Sequence, residues 1–172
     1  ETQSSISGTG KNGSPTNQPA GTSFVVPVYS VDTNWNPVTS TDTVALTSSD
    51  VNAMLPNNVA LVGGVVTMTV TLKTAGSGLT VTASDVTSPS KSASLSSGLT
   101  LVAGAFTKLL LFGPGETYAP GTSLGKGGAR STIAQNQPFT ITAKGVDANW
   151  NTVASATDTI AITSTDGSAV LP

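Results

Sequence analysis

The chain has 172 residues, nine acidic and seven basic side chains, and neither histidine nor cysteine. A net charge of −2 with charged residues at only 9% excludes binding of nucleic acid by charge, because that attraction needs a basic patch; disulfides and thiol chemistry are excluded outright. No apolar run approaches the ~20 residues of a membrane-spanning helix, so membrane insertion is not expected, and the abundant Thr, Val, Gly and Asn suit strands and turns.

Residues 1–22 are polar and Gly-rich, without the basic start and apolar centre of a signal peptide. They are also longer than an ordinary loop. Residues 24–31 alternate loosely, with Phe24, Val26 and Val28 on one side, and Pro27 marks an edge strand or a bulge. A turn follows at Asp32-Thr33-Asn34-Trp35-Asn36, and Val44 and Leu46 open the next strand. Residues 50–58 read as a loop. Residues 65–73 give the strongest period-two signal, with Val66, Met68, Val70 and Leu72 opposed to Thr67, Thr69 and Thr71. Residues 75–78 read as a turn, and Leu79, Val81 and Ala83 alternate with Thr80, Thr82 and Ser84. A Pro/Ser loop, a weaker strand over 95–102 and a more apolar one over 105–112 come next. Residues 113–137 form a second long connection, read as a linker or a functional excursion. Phe139, Ile141, Ala143 and Gly145 then share one face of a strand. A turn at Asp147-Ala148-Asn149-Trp150-Asn151 leads to a strand carrying Ile160 and Ile162.

Those later elements repeat the first ones. Gly10-Lys11 recurs as Gly125-Lys126, Phe24 as Phe139, Val31-Asp32 as Val146-Asp147 and Asn34-Trp35-Asn36 as Asn149-Trp150-Asn151, all at an offset of 115 residues. Beyond Val38 and Val153 the offset becomes 116, as in Asp42 and Asp158 or Leu55-Pro56 and Leu171-Pro172. A period of that size is one β-sandwich domain. Two units follow: residues 1–105, a repeat lacking its first strand, and residues 106–172, the leading part of a second repeat without its closing strands. Open sheets expose apolar faces and unpaired backbone groups. Adjacent repeats, or copies of the chain itself, are therefore expected to complete them by β-strand complementation.

The strand over 106–112 followed by Gly113, the apolar strands ending in Val31-Asp32 and Val146-Asp147, and the Asp-x-x-Trp-Asn-x-Val motif together resemble the bacterial immunoglobulin-like repeats of large surface proteins, the type found in invasin and intimin stalks. Residues 69–76 and 79–85 resemble the closing strands of the same module. Trp35 and Trp150 depart from that pattern by standing where Gly is more usual. The resemblance implies an all-β fold of immunoglobulin-like antiparallel β-sandwich repeats. It also implies an extracellular or cell-surface location of bacterial type, and a structural role as the building block of a stalk or filament.

Some residues invite a second reading. Asp32, Asn34 and Asn36, with Asp147, Asn149 and Asn151, place oxygen side chains at the first, third and fifth positions of a loop, as Ca2+ sites do. Pro37 and Thr152 stand where such a loop has Gly, so an Asx-type turn competes with calcium. Trp35 and Trp150 fit an interdomain contact, or a platform on which a glycan stacks, the latter making an adhesive or carbohydrate-binding module the alternative function. Catalysis is not expected: no histidine activates the many serines, and the two glutamates, Glu1 and Glu116, are repeat equivalents. Lys73, Lys108 and Lys144 lie in strands, where some surface domains of this kind form side-chain cross-links.

Overall fold

A computed structural model describes residues 1–172. It contains no helix; the chain is all-β, and all but one of its strand pairings are antiparallel.

In the first unit the β-branched runs pair as their alternation demands. Ser23–Tyr29 lies antiparallel to Val65–Thr71, with Phe24 opposite Val70, Val26 opposite Met68 and Val28 opposite Val66. Thr43–Ser48 pairs with Val81–Asp85, and Val59–Ala60 and Ser94–Leu95 extend that sheet on its two sides. Leu99–Val102 pairs antiparallel with Gly76–Leu79 and, on its other side, parallel with Gln18–Pro19. The Ser96 N–H donates to Val81 O at 2.8 Å, carrying the Ser94–Leu95 ladder one residue further toward Leu99–Val102.

The core draws on all of them. Val44, Leu46 and Val81 come from one sheet, Met68, Val70 and Leu72 from the Val65–Thr71 strand and its end, and Leu99 and Leu101 from the third group. Every second residue points inward, which is the period of a strand with one buried face. Each such side chain contributes about 1.5–3 kcal/mol by leaving water. Val70 and Leu72 are fully buried, so the strongest sequence alternation does mark the centre of the unit.

Three expectations are corrected. Residues 75–78 do not form a turn: Gly76–Leu79 is a strand whose register against Leu99–Val102 shifts between Leu99 and Leu101, an irregularity that glycines in a strand commonly mark. No strand forms at Ile160 and Ile162. Their counterparts in Thr43–Ser48 are held by Val81–Asp85 and Val59–Ala60, and no corresponding partners occur among the 172 residues. An extended segment without a ladder leaves its N–H and C=O groups to water. Finally, neither long connection joins the units. Residues 1–22 contain the hairpin of Thr2–Gln3 with Lys11–Asn12, and residues 113–137 the hairpin of Thr117–Tyr118 with Lys126–Gly127, at the same offset as the rest of the repeat. The junction is the stretch 103–107, between Leu99–Val102 and Lys108–Phe112.

The second unit consists of Lys108–Phe112 paired antiparallel with Thr142–Val146, the hairpin beside them, and the Asp147-to-Asn151 turn. That turn determines where the second unit sits.

Candidate functional site: the joint between the units

The two Asp-x-Asn-Trp-Asn segments fold alike. In each, the Asp N–H donates to the carbonyl of the last Asn at 2.9 Å, and the Trp N–H donates back to the Asp carbonyl. Asp32 Oδ1 accepts the N–H groups of Asn34 and Asn36 at 2.8 and 2.9 Å, and Asp147 Oδ1 accepts those of Asn149 and Asn151 at the same distances. The amide Nδ2 of Asn36 and of Asn151 donates to the Asp Oδ2 of its own turn at 3.0 Å. These bonds, the Asn36 amide first, hold the Asp32 carboxyl below the usual carboxylate range. They also carry the tryptophans into the left-handed region, at φ 64° for Trp35 and 68° for Trp150. For a bulky residue that costs about 1–2 kcal/mol, which is the physical reason Gly suits the position.

The surroundings of the two turns differ. Asp32, Asn34 and Asn36 are exposed, whereas Asp147 and Asn151 are 1% and 2% exposed. Asn151 reaches into the first unit: its Oδ1 accepts the Ala75 N–H at 2.8 Å, and its Nδ2 donates to Lys73 O at 2.9 Å. Asn149 Nδ2 points at Ala20 O, 3.4 Å away. Gly21, at φ +81°, leaves room for that side chain, since a Cβ there would fall 2.0 Å from Asn149 Nδ2. Asp147 Oδ2 accepts the Gly104 N–H at 2.8 Å, tying the junction to the same turn.

The receiving surface is itself organised by a carboxylate that sequence reading left in a loop. Asp50 is 4% exposed. Its Oδ2 accepts the N–H groups of Lys73 and Thr74 at 2.6 and 3.0 Å, and its Oδ1 accepts the Thr74 hydroxyl at 2.8 Å and the Asn52 N–H at 3.0 Å. Burial pushes the Asp50 carboxyl up, but the bonds from Thr74, Lys73 and Asn52 outweigh it and hold it below its ordinary value. Asn52 Nδ2 in turn donates to Thr74 Oγ1 and to Pro120 O of the second unit. A continuous hydrogen-bonded chain therefore runs from Asp50 through the 73–75 turn to Asn151 and Asp147. The only signal for Asp50 in the sequence is the Asp-x-Asn spacing of an Asx turn.

The tryptophans lie elsewhere. Each indole is half-buried and packs within its own unit, beneath its own hairpin. Tyr118 Oη donates to Trp150 O at 2.7 Å, Trp150 Nε1 donates to Ser123 O at 3.1 Å, and the Lys108 ammonium sits 3.4 Å from the indole ring centre. Gln3 Nε2 likewise donates to Trp35 O. Glu116 secures the foot of the second hairpin. The Gly113 N–H, Lys126 and Arg130 together hold its carboxyl down to about 2. The Lys108 ammonium thus covers one face of the Trp150 ring.

Gly125 is required here, because a Cβ on it would lie 2.4 Å from Trp150 Cγ, and its φ is +71°. Gly125→Ala is expected to cost about 1–3 kcal/mol through backbone strain and overpacking and to weaken the near-UV circular dichroism of the indoles. Gly8→Ala, with nothing near its Cβ position, serves as the neutral reference.

The oxygens of the two turn aspartates are taken up by hydrogen bonds. No group of three or more acidic side chains gathers anywhere in the chain. Each turn aspartate already accepts N–H groups on both oxygens, and Asn151 Oδ1 accepts Ala75 N–H. Calorimetric titration with Ca2+ at about 1 mM, the range of weak extracellular sites, is expected to release no binding heat. Lys73, Lys108 and Lys144 make no salt bridge to any Asp; Lys108 and Lys144 instead lie over the rings of Trp150 and Tyr118.

No family model, no curated protein and no solved structure matches this chain.

Proposed function

We propose that the chain is a segment of an extracellular stalk or filament, built of immunoglobulin-like β-sandwich repeats stacked end to end and completed by neighbouring repeats or further copies. The observation that carries this reading is the joint. Asn151 and Asp147, both almost fully buried, link one unit to the next through side-chain bonds to backbone rather than through exposed charges. Such contacts leave no freedom to bend without stranding buried polar groups, so successive units keep a fixed angle. A spacer needs that property, and a pair of independent binding modules does not.

The immunoglobulin-like reading is supported by which strands pair. Ser23–Tyr29 lies with Val65–Thr71, Thr43–Ser48 with Val81–Asp85, and Gln18–Pro19 runs parallel to Leu99–Val102 at the edge. The surface suits solution outside the cell: hydroxyl and amide groups replace charge, and cysteine is absent. The turn at Asp32–Asn36 is the same peg as the one at Asp147–Asn151 and lies exposed, which fits a unit made to sit on another one.

The test is orientational. Residual dipolar couplings from the full chain are expected to yield one alignment tensor for both units. Two tensors differing in magnitude, with small-angle scattering of a flexible pair, would remove the spacer reading.

A further inference from the structure

Behind strand Ser23–Tyr29 the first unit has an open slot of about 990 Å³, walled by Phe24, Val26, Val28, Leu46, Val81 and Leu99. One edge of that strand is taken by Val65–Thr71. The Ser30 N–H donates to Gly64 O on the same side, so the alternation of a ladder points the N–H groups of Tyr29 and Val31 the other way, to the free edge. Pro27, which has no N–H, shares that edge.

The second unit fills the equivalent place. Thr142–Val146, the counterpart of residues 27–31, pairs along its whole length with Lys108–Phe112. Leu109 and Leu111 stand opposite Gly145 and Ala143, the counterparts of Ser30 and Val28, and so on the face that in the first unit lines the slot. The hairpin of the second unit grips this strand: Lys126 Nζ donates to Leu111 O at 3.1 Å, and Glu116 accepts the Gly113 N–H at 3.0 Å. In the first unit the same two hairpin residues reach over the slot to its far wall instead, Lys11 to Leu95 O and Glu1 to Ser97. The gripping groups are present and the strand they grip is not.

We infer that this slot and the free edge of Ser23–Tyr29 receive one further antiparallel strand with the alternation of residues 106–112, donated by another repeat of this kind. This rests on the array reading above and assigns its contact. Two leucines at the positions of Leu109 and Leu111 enter the slot over Val28. The residue at the position of Leu110 bonds the backbone of Tyr29, as Leu110 faces Lys144. Lys11 and Glu1 then turn from Leu95 and Ser97 to the new strand.

The experiment adds a synthetic peptide of residues 103–113 to the full 172-residue chain and follows amide hydrogen exchange by NMR. Exchange at Tyr29 and Val31 is expected to slow by about tenfold or more as these N–H groups become paired. A peptide N-methylated at the position of Leu110, or carrying L109D and L111D, is expected to give no protection, and neither change alters the protein. Unchanged exchange with the parent peptide, or equal protection by the modified ones, would overturn the inference. So would protection that rises with protein concentration in the absence of peptide and is not displaced by adding the peptide, because the edge would then be pairing with itself. The outcome is independent of the alignment tensors: a rigid joint with an empty slot removes only this inference, and a filled slot on a flexible joint removes only the spacer.

Discussion

Replacing Asn151 with Ala is expected to cost about 2–4 kcal/mol, while the same change at Asn36 costs under about 1 kcal/mol. The two residues occupy the same place in the same turn and make the same bonds within it. Only Asn151 also bonds Ala75 N–H and Lys73 O, and only Asn151 is buried. Truncating it leaves the Ala75 N–H and Lys73 O of a closed interface without this partner, each at about 1–3 kcal/mol if water stays out, while Asp147 Oδ2 keeps the Gly104 N–H. Water entry would relieve part of that, which sets the upper limit well below the sum. Chemical denaturation of the two variants gives the comparison directly, since the turn's own contribution cancels between them. Equal losses would mean that the contact across the joint adds nothing, and the fixed stacking of units would lose its physical basis.

The contrast between these asparagines also marks how far the sequence could be read. The strand alternation and the turn at Asp-x-Asn-Trp-Asn were legible because each depends on local spacing. Val66 to Leu72 alternate, and they do line the core. The hairpins at Gly10-Lys11 and Gly125-Lys126 were visible as repeated residues but read as connections. Their role rests on how Gly125 passes the Trp150 ring, a contact between residues 25 apart. The joint was not legible at all, since identical residues are exposed in one unit and buried in the other. What separates them is whether a neighbour supplies Lys73 O and Ala75 N–H, and no local pattern encodes a neighbour. The alternation at Ile160 and Ile162 failed for the same reason: it satisfies the period of a strand, yet a strand also needs a ladder partner. The tryptophans stand out as interface or ligand residues by their size and by recurring at the same place beside the turn. Their left-handed backbone and their own hairpin explain them within one unit.

Asp50 carries the second large effect. Asp50→Ala is expected to destabilise the chain by about 2–4 kcal/mol, because the N–H groups of Lys73 and Thr74 lose their acceptor beside a buried contact. The loss should spread to the joint, since those two residues shape the turn that presents Lys73 O and Ala75 N–H to Asn151. The pH dependence gives an independent reading. The folded carboxyl lies below the ordinary 3.8 because bonds from Thr74, Lys73 and Asn52 outweigh burial, which alone would raise it. A lowered folded value means the unfolded chain takes up the proton first as pH falls. The stabilisation by Asp50 is therefore complete above about pH 5, where the carboxylate is charged in both states, and is lost as pH drops through the folded value. Asp50→Asn keeps the shape of the side chain but offers one accepting oxygen where four bonds converge, so it is expected to be less stable at neutral pH and to lose part of the acid-dependent decline. Asn151→Ala and Asp50→Ala share the 73–75 turn, so their combined cost should fall short of the sum by about 0.5–3 kcal/mol. Strict additivity in that double-mutant cycle would show that the carboxylate and the joint are separate, and that the hydrogen-bonded chain between them transmits nothing.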